Sequence, residues 1–172
     1  MTMKTTAAAS LPDDLRGRLE LLGLRGVIEN WDEFHEAEWL PRLLEVEEND
    51  RSQRGLERRL RNAKLGRFKP FADFDGSWPK KIDQEQLEEV FTLGFIEEAA
   101  NVILVGPNGV GKTMIAKNLA YEAILRGHTA RFITASELLN DLAAQETGTA
   151  LTRKLRQYAR WKILVIDEVG YL

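Results

Sequence analysis

The residues best suited to chemistry form one glycine-rich segment near the middle of the chain. It reads Gly106-Pro-Asn-Gly-Val-Gly-Lys-Thr113 and matches the phosphate-loop pattern G-x-x-x-x-G-K-[ST] without departure. Glycines let several backbone N–H groups turn toward one anion, and Lys112 can reach the β and γ phosphates of a nucleoside triphosphate. The predicted nucleotide site has nine residues: Gly106, Pro107, Asn108, Gly109, Val110, Gly111, Lys112, Thr113 and Met114.

A second chemical group lies near the end of the chain, where four apolar residues are followed by Asp167 and Glu168. A carboxylate at the end of a strand in a phosphate-loop fold is a suitable ligand for Mg²⁺. We predict that Thr113 and Asp167 hold Mg²⁺, with Asp167 acting through water. We predict that Glu168 is the general base and, with Lys112, a catalytic residue. ATP and Mg²⁺ are the predicted cofactors. The alternative is a site that binds ATP but does not hydrolyse it.

The elements that must position these groups follow from the apolar pattern of the second half of the chain. Short apolar runs predict buried strands at 102–105 and 163–166, and 130–134 alternates like a further strand. Helices are predicted from residue 84 with Asp83 as N-cap, over 112–125, from 137 with Ser136 as N-cap, and over 151–160. Apolar strands that alternate with helices indicate an α/β fold with a parallel sheet.

The first half of the chain has helical periodicity. Leucines at 15, 19 and 22 predict one helix. A longer helix is predicted from about residue 39, with Pro41 near its start, and Gly66 and Pro70 end it. We predict a small all-α domain over 1–67, an aromatic and proline-containing linker over 68–82 that packs onto a neighbouring domain, and an ATP-binding domain over 83–172.

Composition excludes several classes of protein. The 172 residues contain no cysteine, which excludes disulfides, cysteine-ligated zinc and thiol catalysis. The chain lacks an apolar run of about 18 residues, and its first ten residues lack a signal-peptide core. We therefore expect no membrane association and a cytoplasmic location.

The charge is unevenly distributed along the chain. The net charge is −3, yet residues 51–70 contain eight basic residues and one acidic residue, which leaves −10 for the rest. Five of these basic residues share one helical face and form the basic stripe: Arg51, Arg54, Arg58, Arg61 and Lys64. We predict that the stripe binds the backbone of double-stranded DNA without sequence preference. A solvated helix face, or pairing with the acid-rich stretch 29–50, is the alternative.

Several segments together resemble the IstB-like family, the ATP-binding helper proteins of IS21-type transposition. The matching segments are GPNGVGKT, ILVIDEVGYL and DFDGSWPKKID followed by LGFIEEAANVILVG, and the resemblance covers about residues 11–172. The family belongs to the AAA+ superfamily, close to the bacterial helicase loader DnaC. The resemblance implies a helical N-terminal domain, an AAA+ ATPase core, a homo-oligomer assembled on duplex DNA and delivery of target DNA to a transposase. It implies the same roles for Lys112, Thr113, Asp167 and Glu168.

The resemblance also implies that elements are missing after residue 172. The family's core continues with a strand that carries the γ-phosphate sensor and with an arginine finger. In the family's sheet this strand lies between the two strands that carry the motifs. We therefore expect those strands to lack a direct partner and to leave apolar edges open. We expect a truncated, marginally folded chain that binds ATP without efficient hydrolysis.

Three other functions remain as alternatives. A DnaC-like helicase loader would use the helical domain to bind a protein, and a remnant would bind ATP without hydrolysing it. A small-molecule kinase is disfavoured by the adjacent carboxylates and by the basic helical domain.

Overall fold

The structure is a computed structural model that describes residues 11–71 and 83–170. Most of the predicted linker, including Trp78, lies outside the described residues, as do Tyr171 and Leu172. The chain divides into two compact units, Met1–Gly55 and Leu56–Leu172. The predicted domain boundaries after residues 67 and 82 stay predictions.

The first unit is helical. It contains α1 (Asp13–Leu21), α2 (Arg25–Glu29), α3 (Trp31–Phe34) and the first part of α4 (Leu40–Ala63). Its core consists of four buried leucines: Leu19, Leu22, Leu40 and Leu44. These bounds confirm the two predicted helices, and Pro41 is tolerated because it is in the first turn of α4.

A bidentate ion pair joins two helices of the first unit. Arg18 of α1 donates from Nε and Nη2 to the two carboxylate oxygens of Glu48 on α4, at 2.7 and 2.8 Å. The hydrogen bonds from Arg18 lower the pKa of Glu48. Glu48 therefore stays ionised to a lower pH than a free glutamate does.

The second unit is α/β. Its elements are α5 (Gln84–Thr92), a 3₁₀ turn (Gly94–Ile96), α6 (Lys112–Leu125), β1 (Ala130–Thr134), α7 (Ala135–Ala143), α8 (Gly148–Ala159) and β2 (Ile163–Asp167). The strands β1 and β2 pair in parallel, in a register that runs from Ala130 beside Ile163 to Thr134 beside Asp167. The predicted α/β class is therefore confirmed, and both strands end at the same edge of the sheet.

The helix α6 supplies much of the core of this unit. Its buried residues share one cluster with Ala130 of β1 and Ile163 of β2: Ile115, Leu119, Ala120, Ala123 and Ile124. Because α6 begins at Lys112, this packing fixes the end of the phosphate loop against the sheet.

The predicted strand at 102–105 is wrong for the described residues. Residues 102–105 form no strand with the described residues, although their side chains alternate between half-buried and exposed. Ile103 is 81 % and Val105 90 % exposed, whereas Leu104 packs against the core. An apolar run becomes a strand only when a neighbour pairs with its backbone, and within 11–71 and 83–170 this segment has none. The expectation that the Asp-Glu strand lacks a partner is also wrong, because β2 pairs with β1.

Helix caps follow side-chain chemistry in two places. Asp83 accepts a hydrogen bond from the backbone N–H of Gln86 at 3.1 Å, which confirms it as the N-cap of α5. The predicted cap at Ser136 is wrong, since α7 begins at Ala135 and is capped by Thr134. Thr134 and Glu137 have the spacing of a capping box, in which each side chain binds the other's backbone N–H.

The described part of the predicted linker packs through its aromatic side chains. The ring of Phe68 meets Tyr121 of α6 edge-on, with centroids 5.6 Å apart. The ring centroids of Phe71 and of Phe91 on α5 are 4.3 Å apart. These contacts agree with the packing role predicted for the segment, within the second unit. Among the described helices, none is both long and apolar enough to cross a membrane.

Candidate functional site

The phosphate loop depends on backbone conformations that glycine allows. Gly109 and Gly111 have φ values of +81° and +95°, in the left-handed region that side chains disfavour. At Gly106 an added Cβ would lie 3.3 Å from Cγ2 of Val110, which is closer than an ordinary contact. The backbone of this loop therefore favours glycine at 109 and 111, and a side chain at 106 would crowd Val110.

The N-terminus of α6 is open to an anion. Gly111 is its N-cap and provides no side chain, and the first turn contains no acidic residue. The first N–H groups of a helix lack intrahelical partners, and the helix dipole places positive charge there. A helix of 14 residues that begins in a glycine-rich loop is suited to binding phosphate.

The ammonium group of Lys112 is held by the loop itself. Its Nζ donates to the backbone carbonyls of Gly106 at 2.8 Å and of Pro107 at 2.7 Å. These bonds place a positive charge beside the start of the loop, next to the open N-terminus of α6. A phosphate group bound at the loop would contact both the Lys112 ammonium group and the N-terminus of α6.

A hydrogen bond joins the two predicted motifs. The Thr113 hydroxyl donates to Oδ2 of Asp167 at 2.8 Å, across 54 residues of sequence. Asp167 is the last residue of β2, and α6 packs against that strand while presenting Thr113 in its first turn. The structure thus brings together the two side chains that the sequence predicts to share a metal ion.

This pair of oxygens fits Mg²⁺. Magnesium prefers octahedral oxygen ligands at about 2.0–2.1 Å, so two adjacent ligands lie about 2.9 Å apart. The 2.8 Å between Thr113 Oγ1 and Asp167 Oδ2 is an ordinary hydrogen-bond distance that lies close to that separation. It equally suits an arrangement in which Thr113 binds the ion and Asp167 accepts a hydrogen bond from a ligand of the ion.

Glu168 has an unusual backbone that the sequence did not indicate. Its φ is +59°, and its side chain is exposed directly after β2. Non-glycine residues in this region are uncommon and are strained by about 1 kcal/mol or more. Such strain is frequent at functional sites, which agrees with the predicted role of Glu168.

Asn118 is a supporting residue that the motif analysis missed. It is buried in α6, and its amide donates to the carbonyl of Met114 at 2.8 Å and to that of Lys69 at 2.9 Å. The bond to Lys69 ties α6 to the start of the predicted linker. The sequence signal for Asn118 is its position as a polar residue among the apolar side chains of α6.

Comparison with known proteins identifies the family. Residues 24–172 match the family model described as IstB-like ATP binding protein. The chain belongs to this family. The family is a phosphate-loop NTPase family, in agreement with the loop and the parallel strands described above.

Curated relatives of this IstB-like chain come from bacterial insertion sequences. It is 37% identical over 136 residues to a protein of Geobacillus stearothermophilus named as an ATP-binding protein of insertion sequence IS5376. That alignment covers 79% of the chain and 54% of the relative. A protein of Pseudomonas aeruginosa, named likewise for IS21, is 38% identical over 140 residues, or 81% of the chain and 53% of the relative. The chain thus spans about half the length of these relatives.

The basic stripe of this IstB-like chain is only partly free of acidic partners. In the first unit, Arg51 donates to Glu47 at 2.7 Å, and Arg54 pairs closely with Asp50. Their partner acids precede them by one turn of α4. Both arginines are therefore partly neutralised within the helix.

The rest of the stripe lies in the second unit. Arg58 and Arg61 are exposed and make no ion pair with any residue that the structure describes. Lys64 was predicted to extend the helical face, but α4 ends at Ala63 and Lys64 has a left-handed φ of +52°. Lys64 therefore follows the helix instead of continuing it.

Proposed function

We propose that this chain binds ATP together with Mg²⁺, between the phosphate loop and the end of β2. The observation that supports this most strongly is the 2.8 Å hydrogen bond between Thr113 and Asp167. It joins two motifs that are distant in sequence and that nucleotide-binding proteins need side by side. Membership of a family named for ATP binding supports the same proposal.

Different residues bind the phosphates, the magnesium ion and the attacking water. Backbone N–H groups of the loop and of the first turn of α6 bind the phosphates, and Lys112 neutralises the β and γ phosphates. Thr113 and Asp167 hold Mg²⁺, which neutralises phosphate charge when bound. Glu168 orients and polarises the attacking water, so hydrolysis depends on a residue that binding does not need.

Replacement of Lys112 tests the nucleotide site. A charged hydrogen bond to phosphate contributes about 1.5–3 kcal/mol, so Lys112→Ala should weaken binding of Mg-ATP by about tenfold to a hundredfold. Isothermal titration calorimetry on the 172-residue chain measures this. Lys162→Ala is the matched control, because Lys162 is an exposed lysine just before β2. Equal affinities of the two variants would refute the proposed site.

We further propose that the protein is an ATP-dependent helper of DNA transposition that assembles as a homo-oligomer on double-stranded DNA and serves a transposase. The names of the curated relatives, which place them in insertion sequences, support a role in transposition. The exposed cations Arg58 and Arg61 supply charge for binding to the DNA backbone.

Fluorescence anisotropy with duplex DNA tests this second proposal. The chain should bind two unrelated duplexes of equal length with similar affinity, because backbone contacts carry no sequence information. Mg-ATP should tighten that binding and increase particle size in light scattering. Recovery of a replicative helicase in a DNA-free pull-down, together with no binding to duplex, would favour the loader function instead.

A further inference from the structure

The helix α8 carries a group of arginines that the basic stripe does not include. Arg153, Arg156 and Arg160 are all exposed. At 3.6 residues per turn they lie within an arc of about 60° around the helix. Residues 147–166 contain five basic residues and no acidic residue. We call these three side chains the α8 arginine face.

The opposite side of α8 is fixed to α7. The hydroxyl of Tyr158 donates to Oδ2 of Asp141 at 2.5 Å, and Nζ of Lys154 lies 2.9 Å from the same oxygen. Both residues lie about 100° or more around the helix from Arg153. This anchorage neutralises Lys154 and sets the rotation of α8, which leaves the arginine face outside the contact with α7.

Within the part of the chain that the structure describes, the arginine face is not neutralised. None of its three guanidinium groups forms an ion pair with a residue in 11–71 or 83–170. The three side chains border a shallow surface depression together with Gln157 and Ala159. Three like charges held on one short arc repel each other, so an anion bound there would stabilise the arrangement.

We propose that the α8 arginine face binds backbone phosphates of nucleic acid, as a second surface separate from the stripe on α4. The inference deepens the proposed DNA-binding function and rests on it. From Arg153 to Arg160 the helix rises about 10.5 Å, which corresponds to about three phosphates along one strand of a duplex. The planar guanidinium group binds phosphate in a bidentate manner.

Nucleic acid fits this face better than an acidic protein segment. Protein interfaces are anchored by apolar or aromatic side chains near the centre of the contact. Here the depression is bordered by arginine and glutamine, and Ala159 is its sole apolar border residue among those described. Phosphate contact needs charge and donors, which the face provides.

A triple variant tests the proposal on the full 172-residue chain. Arg153→Gln, Arg156→Gln and Arg160→Gln together should weaken duplex binding at least tenfold at about 0.1 M salt. The slope of log affinity against log salt should fall in magnitude by about 2.7, since each lost phosphate contact contributes about 0.9. Glutamine retains helix propensity, and the corresponding triple lysine variant should keep affinity within about threefold.

The control removes the same charge elsewhere. Arg16→Gln, Arg25→Gln and Arg67→Gln change three exposed arginines that form no ion pair with the described residues, and should leave affinity within about threefold. Equal losses in the α8 and control variants would overturn the inference, as would equal losses in the glutamine and lysine variants of α8. Circular dichroism and urea unfolding establish that each variant is folded.

The outcomes separate this inference from the proposed function. If the unmodified chain binds neither duplex, both fail. If Arg58→Gln with Arg61→Gln weakens binding but the α8 variant does not, the proposed function stands and the inference fails. If the α8 variant loses affinity for poly-glutamate and not for duplex, the face serves an acidic protein and the inference is overturned.

Discussion

The helices α4 and α8 both carry arginines at helical spacing, but their surroundings differ. On α4 the first two arginines follow acids by one turn, and Arg51 and Arg54 pair with Glu47 and Asp50. On α8 the exposed arginines have no acid in the neighbouring turns. A count of charge over 51–70 gives +7 because it begins at Arg51 and omits the two acids that the helix brings into contact. Whether an ion pair forms therefore decides which arginines remain available to a phosphate, and spacing alone does not, because Arg61 follows Glu57 by four residues without pairing with a described residue.

The largest effect that sharpens this comparison concerns Arg58 and Arg61, the two arginines of the stripe that form no ion pair with the described residues. Arg58→Gln with Arg61→Gln should weaken duplex binding about tenfold, equally for unrelated sequences. Arg51→Gln with Arg54→Gln should weaken it about threefold, because these arginines are already bound to acids. Anisotropy titrations compare the two variants. A larger loss from the paired residues would contradict the comparison.

The next effect concerns the anchorage of α8. Tyr158→Phe removes the bond to Asp141 and should lower the free energy of unfolding by about 1 kcal/mol, as measured by urea denaturation. Burial and the bond to Asp141 raise the pKa of Tyr158 to about 12, from 10.0. Above pH 10 the unfolded chain releases a proton that the folded chain keeps, so this contribution is lost as pH rises toward 12.

The phenylalanine variant also has a distinctive pH profile. It should lose less stability than the unmodified chain between pH 10 and 12, because it has no phenol to titrate. If both proteins lost the same free energy of unfolding between pH 10 and 12, the contact between Tyr158 and Asp141 would not be what holds α8. Tyr121→Phe is the control, since the hydroxyl of Tyr121 makes no hydrogen bond with the described residues.

The smallest effect is a gain. Glu47→Gln with Asp50→Asn releases Arg51 and Arg54 and should tighten duplex binding about threefold at low salt. The hydrogen bond from Arg51 lowers the pKa of Glu47, so the pair of Arg51 with Glu47 persists at neutral pH in the unmodified chain. The anisotropy assay measures the gain. Unchanged affinity would mean that this part of α4 does not approach DNA.

Much of the site could be predicted from sequence because its determinants are local. The motif spacing fixes which residues form the loop, and helix α6 begins at Lys112 as expected. The meeting of Thr113 and Asp167 was predicted from the two motifs, whose hydroxyl and carboxylate are expected to share a metal ion in a phosphate-loop fold. The roles of these residues in binding Mg²⁺ stay predictions.

The features that sequence did not predict depend on neighbours. The run 102–105 has the residues of a strand, but strand formation also requires a partner for its backbone. Ser136 looked like a cap, yet Thr134 has the correct spacing to Glu137 and ends β1 just before the helix. The left-handed backbone of Glu168 had no sequence signal, since glutamate seldom adopts that conformation.

The magnesium dependence of ATP binding tests the central claim most directly. Calorimetric titrations with ATP in excess Mg²⁺ and in excess EDTA should differ by at least tenfold in affinity for the unmodified chain. In Asp167→Asn that difference should fall to about threefold or less, with binding in EDTA unchanged, because the loop and Lys112 remain. An equal magnesium dependence in both proteins would contradict a shared site formed by Thr113 and Asp167.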